Sequence, residues 1–182
     1  MRLSTIMLFL FQSILSFSQT SEIVKILNLE LKKETKKQKE DSWDYSGEKF
    51  EVVKNFIIKD SILTMTAINF EGKEVREIQT TMKILSIELK KKSYGGYFYN
   101  EKQEVDLRKI KSVIKDINVI FETETDAVKI TQIDENGDKS ERKSDMFFLH
   151  LSYEKQNEYL ADDLVEAFKK AKYKIEKGFW HD

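Results

Sequence analysis

The sequence predicts an α+β domain: an N-terminal helix, a central run of antiparallel strands forming a two-sheet barrel or sandwich, and a C-terminal amphipathic helix that caps it. Three observations carry this expectation. Apolar residues recur at helical spacing in two segments, about 21–40 and about 157–175. Between Phe50 and Leu151 the texture changes to short runs rich in Val, Ile, Thr, Phe and Tyr separated by turn-forming residues, the pattern of antiparallel strands. Hydrophobic residues make up 40% of the chain and aromatics 12%, enough for a core, so the charged fraction of 35% does not imply disorder.

The first twenty residues, MRLSTIMLFLFQSILSFSQT, carry one early charge at Arg2 and an apolar stretch centred on Ile6 to Phe11. It continues through Ile14, Leu15 and Phe17 into the small-x-small triplet Ser16-Phe17-Ser18. This is the pattern of a secretory signal peptide cut between Ser18 and Gln19. The expected organisation is therefore a leader, 1–18, and a single domain, 19–182, sent to the periplasm or the cell exterior. Ser4, Thr5, Gln12, Ser13 and Ser16 interrupt the apolar stretch, which falls short of the ~20 apolar residues of a bilayer span. No membrane span is expected after cleavage.

The first helix places Val24, Leu27 and Leu31 at helical spacing, with Ile23 and Ile26 widening the stripe, and ends in the lysine-rich run Lys32 to Glu40. Cations there suit the carboxyl end of a helix dipole, and the run reads as a solvated last turn. Strands are expected at Phe50 to Ile58 and Ile62 to Phe70, divided by Lys59-Asp60-Ser61. In the second of these, Leu63, Met65 and Ala67 alternate with Thr64 and Thr66, so one face is drier. Val75 to Met82 follows the Glu71-Gly72-Lys73 turn, and Ile84 to Leu89 is either a further strand or a prolongation past a bulge. Then come Tyr97 to Tyr99, Val105 to Ile110, Asn118 to Thr123, Val128 to Ile133 and Met146 to Leu151.

Asn136-Gly137 suits a tight hairpin turn of the primed type. A calcium loop over Asp134, Asn136 and Asp138 is the weaker alternative, because Lys139 stands where the sharp-turn glycine belongs and Asp145 where a bidentate Glu would close the site. In the last helix Leu160, Leu164, Phe168, Ala171 and Ile175 form one stripe, with Asn157 as N-cap and Gly178 as a stop.

Several function classes are excluded or disfavoured by composition. The chain has no cysteine, which removes disulfides, thiolate metal sites and a cysteine nucleophile, so the fold must hold by packing. Lys plus Arg total 31 against 32 for Asp plus Glu, so no strong field for nucleic acid is implied. Arg occurs only as Arg2, Arg76, Arg108 and Arg142, which weakens bidentate phosphate recognition. His150 lies in an apolar strand and reads as a structural histidine, and His181 as a frayed end. The alternating Glu122, Glu124 and Asp126 read as the solvated face of an edge strand rather than a cation site. No metal ligands and no cofactor are assigned, and no catalytic residue is chosen.

The best binding candidates are aromatic. Tyr94, Tyr97 and Tyr99 flank the Gly95-Gly96 turn, with Trp43 and Tyr45 as further members. Exposed Tyr and Trp offer flat amphipathic surfaces for a sugar or a partner chain. The competing arrangement is a hairpin whose aromatics pair across strands and pack inward.

A lead helix, about seven antiparallel strands and a closing helix resemble the pleckstrin-homology-like superfold. Glu22-Ile23-Val24-Lys25-Ile26-Leu27-Asn28, Val105-Asp106-Leu107-Arg108-Lys109-Ile110 and the closing Ala161 to Lys170 segment are similar to small exported bacterial proteins of that layout without assigned function. The resemblance implies two near-orthogonal sheets plugged by the last helix. Phosphoinositide binding is not carried over, because the first strands offer Lys54 and Lys59 and no arginine. The reading that follows is an exported, non-enzymatic binding module whose partner is another envelope protein or a glycan. Its rivals are an Asp/Glu hydrolase in the sheet cleft and a carrier of a small apolar ligand.

Overall fold

The computed structural model describes residues 3–40, 45 and 47–181, with side chains from residue 20 onward, Val75 apart. It is an α+β structure. A long helix α1 (Leu3–Glu40) is followed by β1 (Phe50–Ile68), β2 (Glu74–Lys92), β3 (Phe98–Asp106) and a 3-10 turn at Leu107–Lys109. The chain continues with β4 (Ile110–Asp116), β5 (Asn118–Thr123), β6 (Val128–Asp134), β7 (Lys139–Ser144), β8 (Met146–Phe148), α2 (Tyr159–Lys170) and β9 (Glu176–His181). The strands form two sheets, ordered β1-β2-β3-β6-β7 and β8-β5-β4-β9. Every pairing is antiparallel except β4 with β9, which is parallel. The sheets do not close into the expected barrel.

Helix α1 runs unbroken from Leu3 rather than starting near Ser21, since no Gly or Pro interrupts this part of the sequence. Ile23, Leu27 and Leu31 are buried in the core. The same stripe buries Glu34, whose carboxylate accepts from the Tyr45 hydroxyl, from Ser152 Oγ at 2.9 Å and from the Tyr153 amide at 3.1 Å. An acid on an apolar stripe thus ties the helix to two loops.

Lys59-Asp60-Ser61 is not a turn. Phe50 to Ile68 is one strand, and Asp60 pairs in register with Lys83 and binds its Nζ at 2.7 Å. Asp and Ser can form turns, but here the Asp60–Lys83 and Ser61–Met82 pairs continue the ladder in register, so cross-strand pairing overrides the local turn tendency. Likewise Val75 to Leu89 is one strand, β2, and Val105 to Ile110 is split between β3 and β4 by the 3-10 turn. The charged strand β7, KSERKS, carries no apolar alternation by which sequence could announce it.

Three hairpins share one loop design. In Asn69–Lys73, Ser93–Tyr97 and Asp134–Asp138 the fourth residue is a glycine at positive φ, Gly72 at 76°, Gly96 at 88° and Gly137 at 88°. The glycine N–H donates to the first residue's carbonyl, at 3.0, 3.0 and 3.1 Å. The first side chain accepts from the loop amides: Asn69 Oδ1 from Glu71 and Lys73, Ser93 Oγ from Tyr97, and Asp134 Oδ1 from Asn136 and Asp138. This differs from the primed turn expected at Asn136-Gly137, where both residues would need positive φ. It also engages the first carboxylate of the alternative calcium loop in backbone bonding.

Helix α2 stops at Lys170, short of the expected 175. Ala171 and Ile175 continue the buried stripe, but the chain turns out of the helix through a Schellman motif. Tyr173 N–H donates to Phe168 O at 2.9 Å, Lys172 N–H donates to Lys169 O at 3.0 Å, and the Tyr173 and Phe168 rings meet edge-on at 6.4 Å. Gly178, Trp180 and His181 then lie in β9, so His181 is not a frayed end: it pairs with Asp116. A side chain at Gly178 would strike Ile114 Cγ2 at 2.5 Å, so glycine serves close strand contact and not helix termination. Nor is Asn157 the N-cap, which is Glu158 without a side-chain cap bond. Asn157 Oδ1 instead accepts from buried Lys115 Nζ at 2.9 Å and Trp180 Nε1 at 3.2 Å, joining β4 and β9 to the loop before α2.

Lys172 holds the left-handed position of this motif at φ 65°, where an L side chain is strained and glycine is not. Lys172→Gly is expected to stabilise the protein by roughly 0.5–1 kcal/mol, net of the greater unfolded-state entropy of glycine. The measurement is a higher urea midpoint at unchanged m value.

Candidate functional site: a lysine-lined groove beside an aromatic hairpin tip

β2 ends in Lys90-Lys91-Lys92, and strand alternation divides the three. Lys91 turns into the protein, whereas Lys90 and Lys92 flank Phe98 at the start of β3, with Nζ atoms 4.8 and 5.7 Å from its ring centre, within cation–π range. Opposite them lies the last part of α1, carrying Lys32 and Lys39, and between them runs the lead into β1, carrying Lys49. Together these elements enclose a groove of about 760 Å³, floored by Leu31, Phe50, Val52 and Phe98 and edged by Asn28, Thr35, Gln38 and Asn55. Lys32, Lys39, Lys49, Lys90 and Lys92 line it against one acid, Glu51, with the ion-paired Lys91 in the wall behind, in a chain whose formal net charge is −1.

Behind the groove is a buried polar plug. Lys91 Nζ contacts Glu101 Oε1 at 2.9 Å and Glu48 Oε2 at 3.1 Å. The other oxygen of Glu101 accepts from Gln132 Nε2 at 2.9 Å. Gln103 Oε1 accepts from the Phe148 amide at 3.1 Å, which fixes the orientation of its side-chain amide, and its Nε2 therefore donates to His150 Nε2 at 2.9 Å. That donation makes His150 Nε2 an acceptor and places the imidazole proton on Nδ1, facing Glu48 Oε2 at 3.8 Å. Burial, helped by the charge of Lys91, holds the His150 pKa well below its ordinary value. His150 is thus the structural histidine expected, in a backbone with φ 56°.

The aromatic candidates are distributed by the same alternation. Tyr94 is fully exposed at the Ser93–Tyr97 tip, and Tyr97 is 70% exposed, its ring lying across Gly95. Tyr99 points to the opposite side from Phe98 and is half-buried beside the plug. Burial first, then the charges of Glu101 and Glu48, raise its phenol pKa. Tyr45 is buried, stacked on Tyr153 at 6.2 Å, and burial followed by its bond to Glu34 raises its pKa. It belongs to the α1 anchor and not to the tip. Trp43 lies outside the described residues.

The acidic trio is not a row on an edge strand. β5 is interior to its sheet and ends at Thr123, Glu122 accepts from Ser112 Oγ, and Glu124 pairs with Lys109. Among the described residues no cluster of three or more His, Asp or Glu has the arrangement of a metal site. The groove itself was hidden from sequence reasoning because its lysines come from three elements. The local signals are the lysines of the α1 tail, which read as a solvated last turn, and the Lys90-Lys91-Lys92 triplet at the end of a strand.

Comparison of the chain with known protein families, with curated proteins and with solved structures gives no match.

Because the unfolded chain's imidazole titrates near 6.5 and the folded one well below, the unfolded state binds the extra proton between these values. The stability due to neutral His150 is complete above about pH 6.5 and falls as pH drops below it, by up to about 1.4 kcal/mol per pH unit. Urea unfolding between about pH 7 and pH 5 should show this slope for the wild type and a shallower one for His150→Asn, which keeps a residue tolerant of positive φ.

Proposed function

We propose that this chain is an exported, non-enzymatic binding module that takes an acidic polysaccharide along the lysine-lined groove and the adjoining Tyr94–Phe98 tip. The observation that carries the reading is the convergence of lysines from α1, from the lead into β1 and from the end of β2 around one exposed phenylalanine. Lysines present point charges on flexible stems, which suit carboxylates or sulfates spaced along a polymer better than the bidentate geometry an arginine fork would select. Tyr94, Tyr97 and Phe98 supply faces on which sugar rings stack. The rival enzyme and carrier readings have less support. The buried carboxylates Glu34 and Glu101 are engaged by structural partners, and Phe56, Phe121, Phe147 and Phe168 fill the space between the sheets.

Export rests on the leader pattern of residues 1–18. Cutting between Ser18 and Gln19 retains Ile23, Leu27, Leu31 and Glu34, the residues through which α1 packs. A kinship with the pleckstrin-homology-like layout is proposed at the level of two sheets and a closing helix.

The test is binding of the chain to polygalacturonate and to a neutral glucan at low and physiological salt. Binding to the acidic polymer alone is expected, weakening as salt screens the exposed charges. Replacing Lys90 and Lys92 together by Glu should cost about tenfold or more in affinity, and Tyr97→Ala should weaken binding without changing its salt dependence. Equal affinity of wild type and the double variant, or equal affinity for both polymers, would overturn the reading.

A further inference from the structure

The β1–β2 hairpin is much longer than the body it belongs to. β3 pairs with β2 only from Ile84 to Lys92, so Ser61–Ile68 and Glu74–Met82 pair with each other alone and form a two-stranded arm. Ile62 and Ile68 are 67% and 63% exposed, and Phe70 at the tip is fully so. On one face of the arm Leu63, Met65 and Ala67 stand in register with Thr80, Ile78 and Arg76, and Ser61 with Met82. An isolated two-stranded ribbon with such a face is marginal in water, whereas three or more strands are not.

The outer edge of β1 is protected near its start and open on this arm. Near its start the strand is bulged between Val52 and Ile57, and the Asn28 side chain bonds both the N–H and the C=O of Phe56 at 2.9 Å. The opposite edge of the sheet, β7, presents Lys139, Glu141, Arg142 and Lys143, charges of the kind that block strand addition. Between Asp60 and Glu71, however, the sequence SILTMTAINF has no charge at all, in a chain that is 35% charged.

We infer that this edge is the self-association surface of the protein, on which a second copy of the chain pairs antiparallel about a two-fold axis through Thr64. In that register Leu63 meets Met65 of the other copy, Ser61 meets Ala67 and Thr64 meets Thr64, so the drier faces of both arms join and no charge is buried between Ser61 and Ala67. The tip of each arm, carrying Glu71, Lys73, Glu74, Arg76 and Glu77, lies along the base of the other, where Lys54 pairs with Glu88 and Lys83 with Asp60, so charges of both signs meet there and no single-sign repulsion opposes the pairing. Both ribbons become part of one four-stranded sheet. The surface is separate from the lysine groove, so the inference stands or falls independently of the proposed ligand.

The absence of cysteine makes the register directly readable. In the full chain, Thr64→Cys should give a disulfide-linked dimer under mild oxidation far faster than Glu141→Cys on the other sheet edge. A mixture of Leu63→Cys and Met65→Cys chains should cross-link to each other faster than either does to itself, since a disulfide needs directly opposed positions. Wild type should sediment as a dimer at micromolar concentration. Met65→Lys, a change on the exposed arm, should weaken association about tenfold or more and reduce the concentration dependence of melting, while its far-UV circular dichroism stays that of the wild type. The Lys90 and Lys92 double variant should associate as wild type does. A monomeric wild type, association undiminished in Met65→Lys, or cross-linking at Thr64 no faster than at Glu141 would each overturn the inference.

Discussion

A line of four phenylalanines crosses the protein and fixes everything else. Phe56 on β1 lies 6.5 Å from Phe147 on β8, Phe147 lies 6.4 Å from Phe121 on β5, and Phe121 meets Phe168 of α2 edge-on at 5.5 Å. Each is fully buried, and the line runs from the large sheet into the small sheet, across its paired strands β8 and β5, and on to the helix. With no disulfide available, two sheets that do not close on each other need such a bridge. Large aromatic side chains supply it, because each buries much area and tilted rings interlock. The helix α1 enters the same core through Ile23, Leu27 and Leu31, so the wall of the lysine groove is positioned by apolar packing that reaches the groove floor at Leu31.

Polar groups then decide which of several apolar packings is adopted. Glu34 could not lie on a buried stripe without its three donors, and Lys91 could not turn inward without Glu101 and Glu48. A misplaced α1 or a slipped β2–β3 register would strand one of these charges, at a cost of several kcal/mol. The Gln103–His150 bond extends the same network to the end of β8. These groups add little net stability, since desolvation offsets much of their attraction, but they penalise the alternatives heavily.

The legible parts of the fold were those where local chemistry and tertiary structure agree. The stripe of α2, the hairpin glycines and the apolar runs that become β5 and β6 all read directly from the order of residues. Misreadings arose where one pattern serves two structures. Ala171 and Ile175 keep a helical interval yet lie on either side of a left-handed Lys172, because a chain leaving a helix through a Schellman motif can still cover the same core. Lys59-Asp60-Ser61 looked like a turn because polar residues interrupt an apolar run, but in an exposed ribbon polar cross-strand pairs are what a strand needs. The groove could not be read at all: Lys39, Lys49 and Lys92 are unremarkable singly, and only folding makes them neighbours.

The two surfaces occupy opposite ends of one hairpin, and that arrangement has a consequence for binding. Gln79 is in register with Thr64, and thirteen residues separate it from Lys92; at about 3.3 Å per strand residue this is roughly 43 Å. A two-fold pairing of arms about Thr64 therefore sets two grooves on the order of 80–90 Å apart, facing away from a stiff central sheet. That separation is too great for one small ligand to bridge but suits a polymer that meets both sites, where the second binding event becomes intramolecular and avidity rises without any new contact. The uncharged edge, costly as an aggregation risk in a lone ribbon, and the charged groove, weak as a single electrostatic site, each acquire a physical rationale from the other.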